Sequence, residues 1–306
     1  MFLQKKARLI QYGLLVDQKV MFASEKEYEP MLKIVTYANS FAMNMIDGSL
    51  SRIDHENDDG QSLVTLVRDT PLKSTGEHLF HVITGNEELL LPSFRDDILQ
   101  KFIFGTMEGI NISGVSKLYS DDPVKFLLLI NGIVDEVESE LSDLLDKEIA
   151  NYTIVQGVKE AKDTSVHYIG ISTIGGIPVV NHLYGTEFVS RFKLPAKETS
   201  PGEVLRDLLS AQLSAIIQSS KNLGAVLKDI SIKYFQSRTR KYKELSITFF
   251  PLSEQFVLEV CYDGPRGEIE EFVEQSKPLL NQIINKPFKG NLEELALLES
   301  IFKSKK

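Results

Sequence analysis

The spacing of hydrophobic residues predicts the same order of strands and helices twice along this chain, and this order limits the folds that the sequence can adopt. In the second half, alternation of apolar and polar residues predicts strands, and apolar residues at helical spacing predict helices. The strands are expected at residues 166–172, 177–183, 230–234, 245–249 and 256–262, and the helices at residues 200–223, 268–284 and from residue 291 onwards. Gly175-Gly176 indicates a hairpin turn between the first two strands, and short connections predict an antiparallel meander for the last three.

The first half shows the same order of two strands, one helix, three strands and two helices. Strands are expected at residues 8–16, 20–23, 62–67, 78–83 and 88–91, and helices begin near Ser24, Ser93 and Pro123. Residues 47–60 and 106–122 are expected to be loops. An offset of about 167 residues relates Ser62 to Asp229, and nearly the same offset relates Pro123 to Asn291.

This repetition predicts a duplicated domain, with one copy in residues 1–150 and the other in residues 160–306. The boundary is expected within residues 147–162, which are polar but contain no Pro/Gly/Ser-rich linker. The alternatives are two unrelated α+β domains or one larger α/β domain. Whether two such domains would share a continuous sheet is left open by the sequence.

The composition excludes several classes of protein. With 42% hydrophobic and 25% charged residues over 306 positions, the chain is typical of globular proteins. Its single cysteine, Cys261, excludes an internal disulfide framework and favours a reducing, cytoplasmic location. A net charge of −9 disfavours a general nucleic-acid binder. The apolar runs are too short to cross a membrane.

No motif predicts a catalytic residue, a metal ligand or a cofactor. The sequence contains no P-loop, no G-x-G-x-x-G and no G-x-S-x-G. His78 and His81 should face opposite sides of a strand, and His167 and His182 could approach each other across a hairpin without an evident third ligand. The acidic residues 54–59 lack the Gly and Glu positions of an EF-hand loop. A non-enzymatic role is therefore favoured.

One cluster of cations lies between two predicted strands and is the candidate interaction patch. It consists of Arg238, Arg240, Lys241 and Lys243. At a hairpin tip such residues could simply be solvated. They could also bind an acidic protein, an anionic membrane surface or a nucleotide.

The order of hairpin, helix, meander and paired helices resembles the longin domain and is similar to the related roadblock domain. The likeness is carried by residues 169–183 with the Gly175-Gly176 turn, the helix at 200–223 and the meander over 228–262. It implies an α+β fold of two longin-like domains, each a five-stranded antiparallel sheet with one helix on one face and two on the other.

The resemblance also implies a scaffold that pairs with homologous domains or binds and regulates a small GTPase. The first functional hypothesis is therefore a non-enzymatic protein-interaction scaffold, whose partner is a small GTPase, a longin or roadblock domain, or a second copy of the chain. Peripheral membrane contact is compatible with it. The alternative is a small-molecule sensor or an unrecognised enzyme with a pocket between sheet and helices.

Overall fold

The computed structural model describes residues 10–71, 76–86, 89, 100, 103, 115–148, 164–185, 188–193, 200–236 and 240–284. Within these residues the fold is α+β, with antiparallel strands. The strands are β1 (Gln11–Val16), β2 (Lys19–Ala23), β3 (Gly48–Asn57), β4 (Ser62–Pro71), β5 (His78–Gly85), β6 (Ser165–Thr173), β7 (Pro178–Leu183), β8 (Ala225–Gln236), β9 (Lys241–Pro251) and β10 (Phe256–Asp263). The α-helices are α1 (Glu29–Phe41), α2 (Val115–Asp121), α3 (Pro123–Glu148), α4 (Pro201–Asn222) and α5 (Arg266–Ile284).

The chain divides into two compact units. Unit 1 comprises Met1–Thr36 and Gly60–Val158, and unit 2 comprises Tyr37–Asp59 and Lys159–Lys306. The strand β3 therefore belongs to unit 2, although it precedes β4 in the chain. The domain bounds expected from the sequence stay a prediction.

Unit 1 contains the strands β2, β1, β5 and β4, in that order across the sheet. Asp17 and Gln18 both adopt positive φ, which gives the two-residue turn whose twist matches that of the flanking strands β1 and β2. The apolar stripe of α3 packs on this sheet, and its buried residues include Phe126, Ile130 and Val134. Burial of this stripe is the main contribution that α3 makes to the stability of unit 1.

Unit 2 contains the strands β3, β8, β9, β10, β6 and β7, in that order. Because successive side chains on a strand point to opposite faces, β10 contributes to both sides of this sheet. Leu258 and Val260 pack against Ile269 and Phe272 of α5. Glu259 and Cys261 lie on the other face, which α4 covers.

The expectation of a loop at residues 47–60 is wrong, because β3 occupies Gly48–Asn57 and pairs with β8 along its length. The register shifts between Leu50 and Arg52 and again between Asp54 and His55. The extra residue at the first shift is Ser51 of β3, whereas the extra residue at the second shift is Lys228 of β8. Leu50 and Ser51 are consequently both buried, which interrupts the alternation that marks a strand. The three strands that follow α1 along the chain are therefore β3, β4 and β5.

This correction also changes the internal alignment of the chain. The first residues of β3, β4 and β5 precede those of β8, β9 and β10 by 177, 179 and 178 residues. The predicted offset of about 167 residues relates β4 to β8 instead, and the duplication itself stays a prediction. The short strand expected at residues 88–91 falls mostly outside the described residues, and Leu89 does not lie in a strand.

Other expectations have mixed outcomes. The hairpin at residues 166–183, the helix α4, the meander over β8 to β10 and the long helix from Pro123 are confirmed. Helix α5 continues through Pro278. The loop expected at 106–122 is wrong for Val115–Asp121, which is helical, and residues 106–114 lie outside the described part. The helices expected from Ser93 and Asn291 also lie almost entirely outside it. None of the helices described is long and apolar enough to cross a membrane.

Candidate interaction surface

The predicted cationic cluster lies where β8 turns into β9. Arg240, Lys241 and Lys243 are exposed, and Arg238 lies outside the described residues. Arg240 adopts a φ of 51°, in the left-handed region that a tight turn requires. The structure therefore brings three of the four predicted cations to the end of this hairpin.

Two aromatic rings lie beside these cations and were missed by the sequence reasoning. Phe235 is 51% exposed and Tyr242 is 77% exposed. They are direct partners across the hairpin, and their ring centroids lie 5.4 Å apart at an interplanar angle of 66°. Aromatic residues and Arg are enriched at protein interfaces. A pair of exposed aromatic rings beside cations is therefore stronger evidence for an interaction surface than a single exposed aromatic residue.

The end of the hairpin has two chemically different faces. Phe235 and Tyr242 share one face, while Lys241 and Lys243 project to the opposite face. We call the set Phe235, Arg240, Lys241, Tyr242 and Lys243 the hairpin tip surface. This surface can contact apolar groups of a partner on one side and acidic groups on the other.

The strand β8 is fixed to the rest of unit 2 just before the tip. The Arg191 guanidinium donates to the Asp263 carboxylate at 2.9 Å and to the Tyr234 hydroxyl at 3.0 Å. It also lies 5.5 Å from the ring centroids of both Phe188 and Tyr234. Cation–π contacts and charge-assisted hydrogen bonds of this kind fix side-chain geometry. The tip therefore extends from a well-anchored base.

The same cluster perturbs one carboxyl group. Burial alone would raise the pKa of Asp263, but hydrogen bonding to His167 and the positive charge of Arg191 hold it below its ordinary value. His167 Nε2 lies 3.1 Å from the Asp263 carboxylate, and its ring stacks on Phe188 with centroids 4.5 Å apart. The Asp263 carboxylate is thus ionised at neutral pH and stabilises the base of the hairpin.

The histidines do not come together as a metal site. His182 pairs with Ile169 across its hairpin, so His167 and His182 are not directly opposite each other. His81 is buried and contacts the Tyr12 hydroxyl at 3.0 Å, whereas His78 lies on the outer side beside Asp69. Across the residues that the structure describes, no group of three or more His, Cys, Asp and Glu side chains could hold a metal ion.

The acidic residues 54–59 contribute to strand pairing. Asp54 forms an ion pair with Arg52 on the same strand, and Glu56 forms one with Lys228 on β8. Each of these carboxylates therefore balances a nearby cation within the sheet.

Unit 2 also contains a pocket of about 550 Å³ between the start of β6 and the first turns of α5. Its wall is mostly apolar and carries one carboxylate, that of Glu268, which accepts a hydrogen bond from the Thr164 amide at 3.2 Å. The lining residues are Thr164, Val166, Ile169, Tyr184, Glu268, Ile269 and Phe272. This volume lies within the range of small-molecule sites.

The sequence matches no family model, and no curated protein matches it.

Proposed function

We propose that this chain is a cytoplasmic, non-enzymatic scaffold that binds a protein partner through the hairpin tip surface. In this proposal residues 1–150 and 160–306 are two longin-like domains, each with a five-stranded antiparallel sheet, one helix on one face and two on the other. The partner is a small GTPase or a homologous longin or roadblock domain.

The order of elements supports the tandem arrangement. Two strands, a helix and a three-stranded meander occur as β1, β2, α1, β3, β4 and β5, and they recur as β6, β7, α4, β8, β9 and β10. Each meander is followed by helix. The nearly constant spacing of about 178 residues between corresponding meander strands supports duplication further. Because one fold serves many functions, the proposed function rests on the chemistry of the surface and not on the fold alone.

The single observation that carries the interaction proposal is the exposed pair of aromatic rings at the hairpin tip. Covering the exposed parts of Phe235 and Tyr242 would remove on the order of 250 Å² from water, which is worth about 6 kcal/mol before association costs. This gain is comparable to the lower estimates of the cost of association. The three neighbouring cations favour an acidic partner and would accelerate encounter with it.

The decisive experiment is a binding assay with the full chain as bait. The probes are small GTPases from the same source, loaded with GDP or with a non-hydrolysable GTP analogue. We expect one of them to bind the wild type, and F235A/Y242A to weaken that binding at least tenfold. Tyr37→Ala is the matched control, because Tyr37 is 54% exposed but lies on α1.

Two further arms separate the alternatives. K241E/K243E should weaken binding, whereas K33E, which changes an exposed lysine on α1, should leave it unchanged. Light scattering after size exclusion detects self-pairing, and flotation with anionic vesicles detects membrane contact. Recovery of no GTPase in either nucleotide state, with no self-pairing, would overturn the proposal.

The pocket beside α5 favours a second candidate, a small-molecule sensor or an unrecognised enzyme. Its size and mostly apolar lining suit a ligand with an apolar body, and Glu268 would face a basic group on that ligand. A thermal-shift screen with metabolites and nucleotides tests it, because a bound ligand stabilises the folded state. A hit that Phe272→Ala abolishes would favour this candidate over the scaffold.

A further inference from the structure

A carboxyl group lies in the core of unit 2, where charge is expensive. Glu259 is completely buried in the middle of β10. It lies directly opposite Gly170 on β6 and Phe249 on β9. Neither of its carboxylate oxygens has a hydrogen-bond partner among the described residues. A buried group of this kind usually has a partner, and its absence therefore requires an explanation.

Helix α4 places hydroxyl groups near this carboxyl, within a buried face that is otherwise mostly apolar. Ser210 and Ser214, one turn apart on α4, are both buried. The Ser214 Oγ lies 2.7 Å from the Ser172 Oγ on β6, and this contact joins the helix to the sheet. We call Ser172, Ser210 and Ser214 the serine seam. The seam interrupts the apolar contact between α4 and the sheet at the point where Glu259 lies beneath the helix, although aliphatic residues form most of the buried face of α4.

Gly170 determines how the neighbouring phenol is placed. A Cβ at position 170 would lie only 2.4 Å from the Tyr168 hydroxyl oxygen, so the Tyr168 side chain leans along β6 over the glycine. This hydroxyl also has no hydrogen-bond partner among the described residues. The Tyr168 hydroxyl and the Glu259 carboxyl therefore lie close enough under α4 to influence each other's pKa, as do the hydroxyls of the serine seam, but without a well-formed hydrogen bond to either group.

The electrostatics favour a neutral Glu259. Burial raises its pKa to about 8, and the nearby hydroxyls of Ser172 and Tyr168 offset this only in part. The other titratable groups that face it are the Tyr168 phenol and the Cys261 thiol, and burial, followed by the negative charge of Glu259, raises both of their pKa values. Both stay neutral where Glu259 ionises. None of the charged groups described offsets the Glu259 charge.

We propose that Glu259 and the serine seam form a pH-responsive contact that controls the docking of α4. With Glu259 protonated, α4 stays on the sheet. Ionisation places an uncompensated charge beneath the helix, and opening of α4 hydrates that charge. The device is independent of the hairpin tip surface and of any partner that binds there.

The single thiol of the chain can report the opening of α4. Cys261 is the single cysteine, is completely buried, and lies on the α4 side of β10 two residues from Glu259. Its rate of reaction with a thiol reagent in excess measures how often α4 opens. Dividing the wild-type rate by that of Glu259→Gln at each pH removes the intrinsic ionisation of the thiol.

We expect this ratio to rise about tenfold per pH unit between about pH 6 and pH 8, and then to level off. The control is V260C/C261S, whose single thiol lies on the opposite face, under α5. Its labelling rate, compared with that of wild-type Cys261, also tests the proposal if Glu259→Gln does not fold. A labelling rate that rises with pH at position 261 but not at position 260 supports release of α4. Equal acceleration at both positions means global unfolding and overturns the proposal, as does a flat ratio.

Discussion

Replacing Asp229 with Asn should stabilise the protein at neutral pH but much less in acid. Asp229 is buried on β8 and lies directly opposite Asp54 on β3. It accepts a hydrogen bond from Thr248. Burial raises the pKa of Asp229 to about 6, the Thr248 hydroxyl offsets part of this, and the Asp54 charge raises it further. Ionised Asp229 is therefore disfavoured in the folded protein.

The magnitude follows from the difference between the folded and unfolded pKa values. As the pH rises, the unfolded chain loses this proton at its ordinary pKa of 3.8, while the folded chain keeps it until about pH 6. Stability from this group is thus complete below the unfolded pKa and is lost as the pH rises through the folded pKa. The full loss is about 3 kcal/mol, of which about 2 kcal/mol falls between pH 4.5 and pH 7.

Chemical denaturation of wild type and Asp229→Asn at several pH values measures this effect. The free energy of unfolding of the variant, minus that of the wild type, should increase by about 2 kcal/mol from pH 4.5 to pH 7. Asp207→Asn is the control, because the Asp207 side chain is 67% exposed on α4 and should give a flat difference. A flat difference for Asp229→Asn as well would refute the reasoning.

Three further substitutions test the packing, each measured by the free energy of unfolding. Gly170→Ala should cost about 1–3 kcal/mol, because its Cβ would meet the fully buried Tyr168; an unchanged stability would show that the ring can move. Gly132→Ala should raise the free energy of unfolding by up to about 1 kcal/mol, because the position is exposed inside α3 and an added Cβ would have no atom within 4 Å. A lower free energy of unfolding would contradict this. Arg191→Ala should cost about 2–4 kcal/mol at neutral pH, and less as acid protonates Asp263, whose folded pKa is depressed. An equal cost at pH 7 and in acid below the depressed pKa of Asp263 would argue against that ion pair.

Strand and helix positions were predictable wherever one period held over a whole element. The helix α4 and the strands β8 to β10 have regular apolar spacing, and they lie where the pattern indicated. The strand β3 could not be found in this way. A bulge at Ser51 interrupts its alternation, so the buried Leu50 and Ile53 are three residues apart, and the next buried residue, His55, is polar.

The candidate site was predictable only in part, for a related reason. A run of cations between two strands is visible in the sequence, whereas the pairing of Phe235 with Tyr242 depends on the hairpin register. The burial of Glu259 could not be predicted, because the polar residues of a strand with alternating apolar and polar residues are expected to face water. Here helices cover both faces of β10, so the polar position became a core position.

The placement of β3 has a consequence for any attempt to divide the chain. A fragment beginning near residue 160 would contain β8 but lack the strand that pairs with it over nearly its whole length. The main-chain N–H and C=O groups along that side of β8 would then be free to recruit strands from other molecules, the usual origin of aggregation at sheet edges. Gene truncations that aim to isolate unit 2 should therefore carry Tyr37–Asp59 as well, supplied as a peptide or joined by circular permutation.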